Sequence, residues 1–212
     1  MERLVRALFL LSVSLMPVSC WQRDDFVADL AILPELGQEP VQDTLVVEAF
    51  EVHLNDVVYQ VEPKYAYDLH GLVVSYQHHD GERMLHRRWN DHLNVADLCV
   101  VWGANASQLD LNEFEFWNGQ FTCFVKTGDR AAWRAFDETG LSNNHLLTED
   151  PYLRQMIEKV RIGDQIRIRG WLAGYRNQHG FSRGTSTTRT DRGNGACETI
   201  YVRDFQILSS MN

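Results

Sequence analysis

Between Asp150 and Leu208 the chain sets out a helix, an alternating strand, a hydroxyl-rich loop and a last strand, and this order constrains the fold most. Asp150 is a natural N-cap and Pro151 fits a first helical turn. Leu153, Met156, Ile157 and Val160 then recur at helical spacing until Gly163 ends the run. In Asp164 to Tyr175, Ile166, Ile168 and Leu172 face one side while Arg167, Arg169 and Trp171 face the other, as in a half-buried strand. In Glu198 to Leu208, Ile200 and Val202 share a face before Phe205 and Ile207 take over. That slip of phase at Arg203-Asp204 predicts a bulge.

Upstream, the apolar patterning predicts three more core strands, at Leu69 to His78, Asp97 to Gly103 and Gln120 to Lys126. Thr44 to Phe50 and Val57 to Val61, separated by Asn55-Asp56, predict an extra hairpin before them. A short helix at Arg130 to Phe136 is expected to bury Ala132, Trp133 and Phe136. The expected class is therefore mainly β. Three strands, a helix and two strands, with Gly163-Asp164 to Leu172 among them, resemble an OB-type barrel. That resemblance implies five strands, a helix between strands three and four that plugs the open end, and ligands held on the strand face and loops.

The first twenty residues read as a secretory signal peptide. Arg3 and Arg6 open it, Ala7 to Met16 form an apolar run too short to span a membrane, and Pro17-Val18-Ser19-Cys20 supplies small residues for cleavage. Cys20 resembles the acylated cysteine of bacterial lipoproteins, with Pro17 where that pattern has Leu; lipidation and simple cleavage both stand. Trp21 after a lipidated Cys20 implies the outer membrane. Residues 21–43, with Pro34, Gly37 and Pro40, are expected to be a tether, and 44–212 a single domain. The expected location is exported, periplasmic or as an outer-membrane lipoprotein, with membrane attachment only through a lipid on Cys20.

The formal net charge is −9. Cleavage removes Glu2, Arg3 and Arg6, one net positive charge, and makes the mature chain more acidic still. Such a surface repels phosphate backbones, so nucleic acid is not expected as a partner. Of Cys20, Cys99, Cys123 and Cys197, an oxidising compartment permits one disulfide among the last three; three buried thiols are the alternative.

Candidate binding residues come from three stretches. The loop Gly180 to Gly195 sets Ser182, Thr185, Ser186, Thr187, Thr188 and Thr190 beside Arg183, Arg189 and Arg192, a composition suited to carboxylates, sugar hydroxyls or peptide termini. A twisted hairpin turning at Gly193-Asn194-Gly195 would use the same residues structurally. Leu141 to Leu147 contains Asn143, Asn144 and His145 and reads as an Asn-rich turn able to orient a polar ligand. Trp102 and Asn105, like Trp89-Asn90 and Trp117-Asn118, pair a ring with an amide near a strand end. His70, His78, His79, His86 and His92 lie among Asp68, Asp80 and Asp91. His78 and His79 point to opposite strand faces, and His86 and His92 sit in polar loop sequence, so no metal site is expected. No cofactor motif and no nucleophile motif is present.

The strings Leu98-Cys-Val-Val-Trp-Gly103, Ser142-Asn-Asn-His145 and Gly195-Ala-Cys-Glu-Thr-Ile-Tyr201 resemble an uncharacterised family of bacterial exported, lipoprotein-like proteins with an OB-fold-like domain. The resemblance implies no activity. Two functions remain expected. One is a cell-envelope binding or assembly module that holds a protein partner, a polar small molecule or a glycan through Trp102, Asn105, Asn143, Asn144, Arg183, Thr185, Thr188 and Arg189. The other is an envelope hydrolase with His145 or His70 as general base, oriented by Asp68 or Glu198.

Overall fold

The computed structural model describes residues 30–81, 84–119, 121–190 and 197–210. The expected signal peptide with Cys20, the residue Gln120, and the loop residues Arg192 and Gly193-Asn194-Gly195 lie outside the described residues. In chain order the strands are β1 (Val41–Thr44), β2 (Phe50–Leu54), β3 (Val57–His78), β4 (Asn94–Val101), β5 (Glu115–Gly119), β6 (Thr122–Lys126), β7 (Leu141–Leu147), β8 (Gln165–Asn177), β9 (Ser182–Arg183) and β10 (Glu198–Ser209). The helices are α1 (Met84–Trp89), α2 (Ala104–Ser107), α3 (Arg130–Ala135) and α4 (Pro151–Glu158).

The fold is mainly β, and eight of the strands form one sheet. Its ladders run from β3 to β4, β7, β10 and β8, and β8 pairs again with β3. Among the described residues only the β7–β10 ladder is parallel. β1 and β2 add to β3, and β9 adds to β8, while β5 and β6 form a separate hairpin.

The 22-residue β3 joins two stretches that the sequence divides between a hairpin arm and a core strand. The interruption at Pro63-Lys64 is a bulge within one strand, where a proline lacking its donor is tolerated. The first hairpin arm is Phe50–Leu54 rather than Thr44 to Phe50, and it turns at Asn55-Asp56, both in the left-handed region that a two-residue hairpin requires.

The expected third core strand is also reassigned. Thr122–Lys126 pairs only with β5, and the central position between β4 and β10 belongs to β7. Its polar run Ser142-Asn143-Asn144-His145 suggests a turn, but every one of those side chains is buried and finds polar neighbours. β8 and β10 stand where their alternation puts them, and the register shifts between Val202 and Asp204. Gly170 faces that shift; a Cβ there would fall on the Tyr201 carbonyl oxygen, so only glycine lets the two strands approach.

α4 lies between β7 and β8 in the chain. The Asp150 carboxylate accepts hydrogen bonds from the Tyr152 and Leu153 N–H groups, and Leu153, Ile157 and Val160 are buried in the main core. Tyr67, Leu98, Leu146, Ile166, Ile168 and Phe205 complete that core from the ladders around it. α3 departs from expectation: Phe136 just after it is buried, but Trp133 lies flat on the Phe136 ring and remains 43% exposed. The described part of the expected tether is anchored, with Leu36 fully buried and Gln165 bonding the Leu33 N–H and the Ala31 carbonyl.

Candidate functional site

Alternation along β4 sends Leu98 and Val100 into the main core and turns Asp97, Cys99 and Val101 to the other face. Asp97 stands directly opposite His145 on β7. The His145 Nδ1 is 2.6 Å from the Asp97 Oδ1, His79 Nε2 is 3.0 Å from the same oxygen, and Asn94 donates to it at 3.1 Å. The His79 ring packs on His86 with centroids 4.0 Å apart. His86 Nδ1 lies 3.4 Å from an Asp91 oxygen that accepts the Tyr175 hydroxyl at 2.8 Å. The result is a buried chain of three imidazoles, two carboxylates and a phenol.

Burial of Asp97 opposes its ionisation, but His145 and His79 outweigh it and hold the carboxyl well below the usual range. Burial likewise lowers the pKa of His145 against the pull of Asp97, with the Arg183 and His79 charges adding to the lowering. At neutral pH His145 is therefore neutral and donates its Nδ1–H to an ionised Asp97. Burial, helped by Asp91, raises the pKa of Tyr175 well above its ordinary value, so the phenol stays a donor.

The partner of His145 is thus Asp97 rather than Asp68 or Glu198. His70 is held loosely, its Nδ1 3.9 Å from Asp68, whose two oxygens accept from Arg167 at 3.0 and 2.6 Å. Glu198 pairs with Arg189 at 2.9 Å. His86 and His92, expected in a polar loop, are buried, and His86 lies in α1. His79 enters the cluster while His78 turns away and bonds the Ile157 carbonyl. Sequence reasoning missed Asp97; a lone acid inside a strand buried at every position was the available signal. Among the described residues no group of three or more His, Cys, Asp or Glu is placed to hold a metal ion.

The other predicted residues divide into separate groups. Trp102 and Arg189 come together: the guanidinium lies 5.5 Å over the Trp102 ring and 5.2 Å over Tyr67. Asn144 is buried beside them in register with Glu198 and donates to the Leu98 carbonyl and the Ser142 hydroxyl. Asn143 faces the opposite way. It accepts from Asn118 at 2.8 Å and donates to the Phe121 carbonyl. Asn105 closes a two-way clasp on the Asp137 backbone. Arg183 lies 5.0 Å over Phe121 and 5.8 Å over Phe181. Thr185 accepts from the Thr199 N–H, and the exposed Thr188 donates its N–H to Ser186. The described part of the loop is thus fastened to the sheet.

No protein family, no curated protein and no solved structure matches the chain.

The long connection between β4 and β7 is itself a built structure. A Cys99–Cys123 disulfide ties its hairpin to β4, with Cα atoms 5.5 Å apart. Asn118 bonds both Asn143 and the Ser75 hydroxyl. Phe121 sits at the hairpin turn in the left-handed region, its carbonyl accepting from Asn143 and from the Cys197 thiol. Phe114, Phe116 and Phe136 pack together beneath, while Trp117 and Trp133 remain 38% and 43% exposed. Cavities of about 530 Å³ and 520 Å³ lie respectively beside α3 and over the β1–β3–β8–β10 surface, and neither is lined by His145.

Proposed function

We propose that the chain is an exported cell-envelope binding module: an OB-like five-stranded barrel acts as scaffold and the connection at 102–140 as recognition element. The ladder circuit β3–β4–β7–β10–β8–β3, with α4 between its third and fourth strands in chain order, supports the barrel. The leader-like first twenty residues and the Cys99–Cys123 disulfide support export. The observation that carries the binding reading is the pair of exposed tryptophans, Trp117 and Trp133, on a connection otherwise clamped by a disulfide and buried amides. Rigid scaffolds with elaborated loops place recognition in those loops, and tryptophan is enriched where such loops make contact. Asn143 would support this surface from below through Asn118 and the Phe121 carbonyl, and Arg183 would frame it by packing on Phe121.

A photoreactive residue in place of Trp117 tests the reading in the native envelope. A discrete crosslinked partner is expected from that position and none from position 152 on α4, where Tyr152 is 65% exposed. No adduct, or equal labelling from both positions, would reject the module.

A further inference from the structure

The cavity beside α3 has a chemistry unlike the rest of this acidic chain. Lys126, Arg130 and Arg134 line it together with Trp133 and Thr127, against a single acid, Asp129. The Asp129 carboxylate is already committed, accepting from the Ala131 and Ala132 N–H groups as the cap of α3. Lys126 is held 2.9 Å from Glu115. Arg130 and Arg134 are exposed and make no ion pair with a described acid. One face of the Trp133 indole lies on Phe136, with the ring planes 9° apart, and the side chain still keeps 43% of its surface free.

A volume of about 530 Å³ falls within the range of small-ligand sites and accommodates more than one sugar ring. An indole face offers an apolar plane for the C–H face of a ring. Guanidinium forks match a carboxylate in a bidentate manner, and in a chain of net charge −9 they concentrate anions locally. A neutral sugar would use the indole but leave both guanidinium groups unused; a bare phosphate would use the cations but not the ring.

We infer that this cavity is a binding site for a carboxylate-bearing saccharide, with Trp133 stacking on the ring and Arg130 and Arg134 holding the acid group. This rests on reading the 102–140 connection as the recognition element.

Titration calorimetry of the full chain with digalacturonate tests the site, with a neutral digalactose and inorganic phosphate as comparison probes. Saturable binding of digalacturonate on the order of 1 mM or tighter is expected. It should weaken at least about tenfold in the Arg130→Gln/Arg134→Gln double variant and in Trp133→Ala. The arginine variant should melt like the parent, because both side chains are exposed. If Trp133→Ala melts lower, the arginine variant alone decides. No saturable heat, phosphate bound as tightly as digalacturonate, or an arginine variant that binds like the parent overturns the site. Partner capture at position 117 without digalacturonate binding rejects this site alone; digalacturonate binding without capture rejects the envelope reading alone.

Discussion

A single buried carboxylate organises the polar centre of this protein. Asp97 is 1% exposed and gathers His145, His79 and Asn94 within about 3 Å, so the strands on either side are coupled through one oxygen. The lowered pKa of His145 makes that centre sensitive to acid. The unfolded chain takes up a proton near the ordinary histidine value while the folded chain resists it. The contribution is complete above that value and is lost as pH falls from about 6.5 toward the lower folded pKa. His70 and His78 are shifted the same way by burial and add to the slope. Urea unfolding at pH 7.5 and pH 5.5 should show stability falling by roughly 1–3 kcal/mol at the lower pH. His145→Gln should flatten part of that fall; an unchanged slope would place the linkage on other groups. Little of this was legible in sequence. Asp97 sits 48 residues from His145, and only the strand register brings them opposite.

At the scale of elements, legibility followed the chemistry of the side chains. β8 and β10 alternate apolar and polar residues because each has one core face, so both strands and the bulge near Arg203 could be read. β7 is buried on both faces and fills them with amides and an imidazole, which imitates the composition of a turn. The hairpin at Thr122 is apolar because it packs on β4 from outside, which imitates a core strand. The helix α3 and the burial of Phe136 could be read, but Trp133 was misplaced because this large hydrophobe lies out at the surface. The close approach of β8 and β10 depends on Gly170. Gly170→Ala should cost about 3 kcal/mol through overpacking against the Tyr201 backbone, lowering the melting temperature by roughly 10 °C in a scanning measurement. A melting temperature within about 2 °C of the parent would show that β8 and β10 can separate freely.

For the whole molecule, the 102–140 connection and the main sheet are joined by a covalent clamp, and they need not loosen together. The Cys99–Cys123 bond closes a loop of 24 residues, and its loss should cost about 3 kcal/mol. In the Cys99→Ser/Cys123→Ser variant, amide exchange should quicken across 102–140 and stay slow in β8 and β10. Uniform acceleration would mean that connection and sheet unfold as one unit. The 22-residue β3 also sets the order in which the protein can assemble. Tyr59 pairs with the nearby Val52 on one flank but with the distant Asn177 on the other, so during N-to-C synthesis that second flank of the long ribbon stays open until most of the chain has emerged. Productive maturation therefore depends on shielding that nascent edge from neighbouring chains, and premature release would favour intermolecular strand addition over closure.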